Sequence, residues 1–219
     1  MVETRTKPRK SLVDLSSPSS EPFRTLRLAL QLRSSARSGN TIVFTSAEPG
    51  DGKSTIAANF ALVSSMMNNV LLIDGDLRQP VVHDIFGIPR APGLVEALAT
   101  GSPNESLIQS VDAPGHLDVL TAGRPIPQSA DLSSSKRMGE VLQQASENYE
   151  LVVIDSPPVL HAADAAGLAS HGSTEVVLVA TRTSRRRTIV KALRELELIE
   201  AHIAGIVVNR DGRLGAYGY

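Results

Sequence analysis

The sequence contains no cysteine and few aromatic residues, and each absence excludes a class of structure. Without cysteine there is neither a disulfide nor a thiolate metal site, so nothing indicates an oxidising compartment. Aromatic residues make up 3% of the chain, so the core must be built from aliphatic side chains, as in parallel sheets that are buried on both faces. The composition therefore favours an α/β fold over a β-sandwich.

The chain also lacks an excess of one charge and any long apolar run. Its 22 basic and 23 acidic residues give a formal net charge of -1, so no nucleic acid is expected as a partner. No apolar run approaches the ~20 residues that cross a bilayer, and the N-terminus lacks a signal-peptide core. We therefore expect a cytoplasmic protein.

Composition divides the 219 residues into a single domain flanked by two tails. Residues 1–20 combine basic residues with a Ser/Pro stretch, which predicts a disordered arm that either aids solubility or is weakly attracted to an anionic membrane. Residues 21–38 have a helical pattern, and residues 39–211 have the alternating pattern of an α/β domain. Residues 212–219 predict a flexible tail.

Six short apolar runs alternate with helical patterns. The predicted strands are residues 41–46, 70–74, 117–121, 151–155, 175–180 and 205–209. The predicted helices between them are residues 54–67, 93–100, 136–148 and 188–200. Together they predict a doubly wound, mostly parallel sheet with right-handed crossovers. The Pro- and Ser-rich residues 125–135 predict a long surface loop near the functional site.

The segment after the first predicted strand has the pattern of a phosphate-binding loop, with Ala at the first Gly position of that pattern. Its residues are Ala47, Glu48, Pro49, Gly50, Asp51, Gly52, Lys53, Ser54 and Thr55. The glycines let backbone N–H groups surround phosphate oxygens, and Lys53 is predicted to reach the β- and γ-phosphates of ATP. Ser54 is predicted to ligate Mg²⁺ and Thr55 to support the loop. A glycine-rich turn without a ligand is the alternative.

Three aspartates follow predicted strands at the same edge of the sheet. Asp74 and Asp76 follow the second strand, and side-chain alternation predicts that they face one small volume, as either a metal site or a structural pair. Asp155 ends the fourth strand, where a carboxylate is expected to order Mg²⁺ through water, although turn and cap aspartates are also common there.

Two features at the end of the sheet have open interpretations. Asn209 ends the last predicted strand, where its amide either pairs with adenine or makes a turn. The run Arg185, Arg186 and Arg187 precedes the last helix and suits phosphate, a neighbouring subunit or a solvated surface.

These motifs resemble those of the bacterial tyrosine kinases that control capsule and exopolysaccharide synthesis. The resemblance covers residues 21–211 and rests on the phosphate loop, on Asp74-Gly75-Asp76-Leu77-Arg78, on Ile154-Asp155-Ser156-Pro157-Pro158 and on Glu21-Pro22-Phe23-Arg24-Thr25-Leu26-Arg27. It implies a P-loop NTPase fold and ATP-dependent protein tyrosine autokinase activity. Lys53 and the three aspartates would be catalytic, with Ser54, Asp76 and Asp155 near Mg²⁺ and Asp74 placed to accept the tyrosine proton.

The same resemblance suggests an oligomer. Steps of three residues keep Glu21, Arg24 and Arg27 on one side of a helix, where they form either an intrahelical surface pair or a contact with another subunit. The family pattern implies the second, and hence a homo-oligomer such as a ring.

The tail holds Tyr217 and Tyr219, which are two of the three tyrosines in the chain, whereas Tyr149 abuts a strand. The resemblance implies that the tail tyrosines accept phosphate from another subunit. It also implies a separate membrane-spanning activator, a tyrosine phosphatase and a location at the inner face of the plasma membrane through the activator.

Two other classes share this fold. Septum-positioning and plasmid-partition ATPases have an additional lysine at the second position of the phosphate loop, where this chain has Glu48. That difference favours the kinase over an ATPase switch. A catalytically inactive binding module is disfavoured because the phosphate and metal groups are all present.

Overall fold

The computed structural model describes residues 12–34, 39–126, 132–171 and 174–210. The strands are β1 (Thr41–Ser46), β2 (Val70–Asp74), β3 (Gln109–Ser110), β4 (Leu117–Leu120), β5 (Leu151–Asp155), β6 (Thr174–Thr181) and β7 (His202–Asn209). The helices are α1 (Glu21–Ser34), α2 (Lys53–Ser64), α3 (Val82–Phe86), α4 (Leu94–Thr100), α5 (Lys136–Asn148), α6 (Ala163–Ala169) and α7 (Arg186–Leu198), and a 3₁₀ turn (Pro18–Ser20) precedes α1.

The strands form one sheet in the order β3-β4-β2-β5-β1-β6-β7. All neighbouring pairs are parallel except β3 with β4, where two residues pair antiparallel at the edge. The predicted doubly wound, mostly parallel sheet is therefore confirmed. Because β2, β5 and β1 are adjacent, their carboxyl ends lie side by side and the predicted site residues share one edge.

Alternate residues of the central strands pack on opposite faces of the sheet. Phe44 and Leu72 pack on the side of α1, α2 and α3. Val43 and Leu71 pack on the side of α4 and α5, while α6 and α7 cover β6 on that same side. Every residue of β1 and β2 is buried, which explains why these strands read as continuous apolar runs.

The N-terminal arm differs from expectation. A disordered segment was expected through residue 20, but residues 12–20 pack against the domain. Leu12 and Leu15 contact the core, and the Val13 N–H donates to Asn59 Oδ1 of α2 at 2.7 Å. Ser17 caps the 3₁₀ turn. The apolar side chains between the polar residues give the arm something to bury, whereas residues 1–11 lie outside the described part.

Three short elements were not predicted: β3, α3 and α6. The first two have two and five residues, too few to show a period, and α6 is built mainly from alanine and glycine without an apolar stripe. The boundaries of α2 and β7 also shift, since α2 ends at Ser64 and β7 begins at His202. Residues 35–38, 127–131 and 211 lie outside the described ranges. Within those ranges, no helix has both the length and the hydropathy to cross a bilayer.

Candidate active site

The phosphate loop connects β1 to α2, as predicted. Gly50 and Gly52 have φ angles of 85° and 91°, a left-handed conformation that glycine adopts without steric cost. Gly52 precedes the first residue of α2, so the free N–H groups of the helix start open onto the loop. A Cβ on Gly52 would lie 2.2 Å from Asn209 Nδ2, so this position has no room for a side chain.

Asp51 fixes the shape of the loop. Its carboxylate accepts hydrogen bonds from the Glu48 N–H at 3.3 Å and from Ser184 Oγ at 3.1 Å. Its backbone carbonyl accepts a third from Asn209 Nδ2 at 2.9 Å. The Asn209 amide therefore holds the loop in this structure. Ser184 was not predicted, because a serine in a polar turn carries no local signal of a contact 133 residues away.

Lys53 forms an ion pair with the second aspartate of the β2 motif. Its Nζ lies 3.1 Å from Asp76 Oδ2 and 3.4 Å from Ser54 Oγ. Burial acts to lower the pKa of Lys53, but the carboxylates of Asp155, Asp76 and Asp74 outweigh it and raise the pKa above its usual range. Lys53 therefore stays charged among three acidic groups.

The carboxylate of Asp155 has the surroundings expected of a residue that contacts the water ligands of a metal ion. Both carboxylate oxygens are buried and accept no hydrogen bond of normal geometry from the residues that the structure describes. Burial raises its pKa to about 6, although the charge of Lys53 and the hydroxyl of Ser54 act to lower it. An anion without donors is costly in a protein interior, so these oxygens fit a cation with its water ligands.

Asp74 ends β2 and contacts the start of α3. Its side chain is fully buried, and Oδ2 accepts the Val82 N–H at the start of α3 at 3.0 Å. Burial, together with the negative charge of Asp155, raises the pKa of Asp74 well above its usual range. The other oxygen, Oδ1, is buried and has no hydrogen-bond partner among the described residues. The role of Asp74 as proton acceptor therefore stays a prediction.

The donor set fits Mg²⁺ better than a metal bound only by protein. Among the described residues, no three His, Asp or Glu side chains form a metal-binding cluster. Ser54, Asp76 and Asp155 instead lie around Lys53 at the phosphate loop. Mg²⁺ typically takes few protein ligands and retains waters and nucleotide oxygens, so this arrangement suits it.

A polar cavity of about 460 Å³ adjoins the loop on the side of β6 and β7. It is lined by Glu48, Pro49, Gly50, Asp51, Thr181, Thr183, Ser184, Arg185 and Arg210. Arg185 of the predicted arginine run thus lies near the phosphate loop. Arg210 has a φ of 58°, unusual for a residue with a side chain.

The predicted subunit contact on α1 is occupied within the chain. Arg24 Nε lies 3.3 Å from Glu21 Oε1, and Arg24 Nη2 donates to the carbonyl of Leu15 at 3.1 Å. Arg27 Nη1 donates to Gln31 Oε1 at 3.3 Å, one turn further along. These contacts match the intrahelical alternative, so the oligomer remains a prediction. Tyr217 and Tyr219 lie outside the described residues.

Known proteins are similar in sequence to this chain over most of its length. The tyrosine-protein kinase YwqD of Bacillus subtilis is 35% identical over 212 residues, which cover 95% of this chain and 89% of YwqD. The chain belongs to the bacterial tyrosine-protein kinases. Some members are longer: the chain spans 28% of the tyrosine-protein kinase Wzc of Salmonella typhimurium, with 29% identity over 204 residues. No protein-family model matches the sequence.

Two solved structures share the fold over most of their length. The chimerical protein CapA2B2 matches with a TM-score of 0.83 and 32% identity, over 94% of this chain and 92% of the chimera. The kinase domain of the Escherichia coli tyrosine kinase ETK matches with a TM-score of 0.82 and 28% identity, over 99% of this chain and 89% of that domain. The recognition of the kinase family from sequence is therefore confirmed.

A more distant match concerns the fold alone. The septum site-determining protein MinD of Pyrococcus horikoshii, complexed with Mg-ADP, matches with a TM-score of 0.65 and 24% identity, over 80% of this chain and 71% of MinD. This agrees with the predicted P-loop NTPase fold. It gives no support to an ATPase switch. At the second position of the phosphate loop, where those ATPases are expected to have a lysine, this chain has an exposed Glu48.

Proposed function

We propose that the chain transfers the γ-phosphoryl group of ATP to tyrosine, with Mg²⁺ as cofactor, and that it regulates capsular or exopolysaccharide synthesis. The observation that carries the proposal is the grouping of Lys53, Asp76 and the unpartnered oxygens of Asp155 at the phosphate loop. Kinase relatives that cover nearly the whole chain support it.

The proposed mechanism relies on position and charge. Backbone N–H groups from Gly50 to Thr55 would hold the phosphates, and Lys53 would offset charge on the transferred group. Ser54 and Asp76 would contact Mg²⁺ and Asp155 would order its waters, while the bound ion supplies charge neutralisation across the β- and γ-phosphates. The tyrosine oxygen would bond to the γ-phosphorus as the bond to the bridging oxygen breaks and ADP leaves with that electron pair. Because the transition state is loose, the hydroxyl proton would leave late, and Asp74 would accept it.

The adenosine half would extend toward the 460 Å³ cavity beside β6 and β7. Asn209 lies at that end of the loop, where its Oδ1 would remain open to the base while Nδ2 holds the loop. Replacing Asn209 by aspartate would remove the donor to the loop, and we expect weaker ATP binding measured by calorimetry.

We propose that Tyr217 and Tyr219 are the phosphoacceptors and that transfer occurs between subunits. An eight-residue tail spans at most about 28 Å, enough to reach a neighbouring site. Each phosphate would add about -1.5 to -2 charges at pH 7, so crowded tails would repel and loosen the oligomer.

The test mixes a Lys53→Met chain with an active chain that lacks residues 212–219, together with ATP, Mg²⁺ and the activator. Mass spectrometry should find phosphate on Tyr217 or Tyr219 of the inactive chain. Phosphate confined to Tyr149, or ATP hydrolysis without phosphotyrosine, would contradict the proposal.

The proposed oligomer would use the exposed side of α1. Leu28 and Leu32 are 52% and 69% exposed on the same helix as Glu21, Arg24 and Arg27, so the surface offers both apolar and charged contacts. Combined alanine replacement of the three charged residues should shift the sedimentation profile to a smaller species.

The remaining partners follow from the family. We propose a separate membrane-spanning activator of the polysaccharide co-polymerase type, a tyrosine phosphatase that reverses the modification, and a cytoplasmic location at the inner face of the plasma membrane through the activator. Co-sedimentation of the chain with membranes that contain or lack the activator tests this location.

A further inference from the structure

A buried carboxylate beside the phosphate site holds an arginine at the rim. Asp164, in the first turn of α6, is 1% exposed. Arg78 Nε donates to its Oδ2 at 2.9 Å, and Ser133 Oγ donates to its Oδ1 at 3.0 Å. Burying a carboxylate is costly unless such donors satisfy it, so Asp164 is a built partner for Arg78 rather than a surface charge.

The backbone around this pair is closely packed. A Cβ on Gly167 of α6 would lie 2.9 Å from a backbone nitrogen of the loop before α5, so the helix rests directly on that loop. Asp76 Oδ1 accepts the Gln79 N–H at 3.0 Å and fixes the turn that carries Arg78. The other oxygen of Asp76 pairs with Lys53. The arginine is therefore held from two sides, one of which is the phosphate site itself.

Only part of the Arg78 guanidinium is used by the domain. Its side chain is 45% exposed, and within the described residues its terminal nitrogens have no hydrogen-bond partner. With Nε anchored, the two terminal nitrogens keep a fixed plane that matches two oxygens of a carboxylate or phosphate. The pair with Asp164 leaves this recognition edge open to solvent.

The negative charge of the adjacent active site suggests what Arg78 could bind. Asp74, Asp76 and Asp155 gather around Lys53, so an acceptor with acidic groups near its tyrosine would meet negative charge. A cation on the rim offsets that repulsion and fixes the direction of approach.

We propose that Arg78 docks the segment that presents the acceptor tyrosine, by binding an oxyanion next to that tyrosine, and that Asp164 is the positioning residue that holds Arg78. The proposal rests on the kinase function above and names the chemistry of its acceptor. The oxyanion is either the carboxylate of an acidic residue or the phosphate of a tyrosine already modified. Because Tyr217 and Tyr219 are two residues apart, phosphate on one would help to present the other.

The test uses three short synthetic peptides in which one tyrosine is flanked by glutamate, by glutamine or by phosphotyrosine. Fluorescence anisotropy of the labelled peptides with Mg-ADP gives affinities, and steady-state transfer gives KM and kcat. The wild-type chain should prefer an anionic peptide over the glutamine peptide by about fivefold, the upper range for a pair that solvent reaches. Arg78→Gln should bring this ratio near one without changing ATP affinity, and Arg78→Lys should restore part of it. Whether the glutamate or the phosphotyrosine peptide shows the preference identifies the source of the oxyanion.

Further variants separate positioning from stability. Asp164→Asn should lower the preference, and it should add no further loss in an Arg78→Gln background, because it acts through the arginine. Ser133→Ala removes the other donor to Asp164 and should keep the preference. Arg194→Gln removes an equal charge from the exposed surface of α7 and should keep it too.

Equal affinity of the wild-type chain for all three peptides overturns the proposal, as does a preference that survives in Arg78→Gln or disappears in Arg194→Gln. Absence of newly transferred phosphate on the acceptor tyrosine of every peptide would refute the kinase function instead. The anisotropy measurement would still decide whether Arg78 docks anionic peptides.

Discussion

Asp155 and Asp118 are both buried aspartates of one sheet, yet their surroundings differ. Asp118 lies near the amino end of β4, where it accepts hydrogen bonds from Ser110 Oγ and, at 2.8 Å, from the Tyr149 hydroxyl. His116 Nε2 lies 3.2 Å from the same oxygen as Tyr149. At the opposite edge, neither oxygen of Asp155 accepts a hydrogen bond of normal geometry from the described residues.

The contrast separates stability from function. The cluster around Asp118 satisfies its own carboxylate, and burial together with the bond to Asp118 raises the pKa of Tyr149, which therefore remains a donor. Tyr149 is packed, as expected from its place beside a strand. At the carboxyl edge, Lys53 faces three carboxylates, so part of their negative charge stays uncompensated, which costs free energy until a ligand binds.

The largest expected effect comes from Lys53, which balances the acidic groups of the carboxyl edge. Lys53→Met should lower phosphoryl transfer by about 1,000-fold, because it removes the charge that offsets the transferred group. The measurement is phosphotyrosine formation at saturating Mg-ATP, with circular dichroism to verify folding. Normal ATP affinity and turnover in the folded variant would contradict the assignment.

Substitution of the aspartates compares the two edges directly. Asp155→Asn and Asp76→Asn should each lower transfer by about 100-fold or more through weaker Mg²⁺ binding, with little loss of stability. Asp118→Ala should have the opposite effects. The free energy of unfolding should fall by about 2 to 3 kcal/mol, because the hydroxyls of Ser110 and Tyr149 lose their acceptor. The rate of transfer should change by less than about twofold. Urea unfolding and kinase assays on all three variants provide the comparison. Equal losses of stability at both edges would remove the distinction.

The pH dependence sharpens the same contrast. Asp155 has a pKa of about 6 in the folded chain, and an unfolded aspartate has one of about 3.9. The folded state therefore binds the Asp155 proton more tightly than the unfolded state does. This binding contributes to the free energy of unfolding, by roughly 2 to 3 kcal/mol at most. The contribution is fully present below about pH 4 and is lost as pH rises through about 6.

We expect metal-free wild-type chain to lose stability between pH 4 and pH 7 relative to Asp155→Asn, measured by urea unfolding in EDTA. Mg-ADP should restore more stability at pH 7 than at pH 5, because it binds the ionised carboxylate. Parallel pH curves for the two chains would show that Asp155 does not titrate in this range.

The smallest effect is expected from Tyr149→Phe. The substitution removes one donor to Asp118 but leaves Ser110 and His116 beside it, so we expect a loss of about 1 kcal/mol in the free energy of unfolding. Phosphorylation of the tail should be unchanged, as measured by mass spectrometry. A large loss of tail phosphate would mean that Tyr149 acts at the active site.

The parts of the site that lie close in sequence were predicted, and those joined by the fold were not. The loop from Ala47 to Thr55 is a local pattern, so both its strand and its helix were anticipated. Asp76 and Asp155 could be placed at one edge because Asp155 ends one apolar run and Asp76 lies two residues beyond the end of another. The pair of Arg78 with Asp164 spans 86 residues and leaves no periodic trace.

One contact of Asp74 was not predicted for a related reason. Strand alternation placed it beside Asp76, and it does lie near the other acidic groups. Its contact with Val82 depends on α3, which has five residues and no detectable period. A residue that caps a helix cannot be distinguished from one that faces a substrate until that helix is known.

The contact between Asn209 and the phosphate loop has a mechanical consequence. Asn209 is the last residue of β7, and the segment that leads to Tyr217 begins immediately beyond it. One amide therefore joins the root of the tail to the carbonyl of Asp51, inside the loop. If the tail enters a neighbouring subunit, as proposed, its pull would act on the same contact that shapes the phosphate loop of its own subunit. Donation of the tail and retention of ATP would then depend on each other through Asn209.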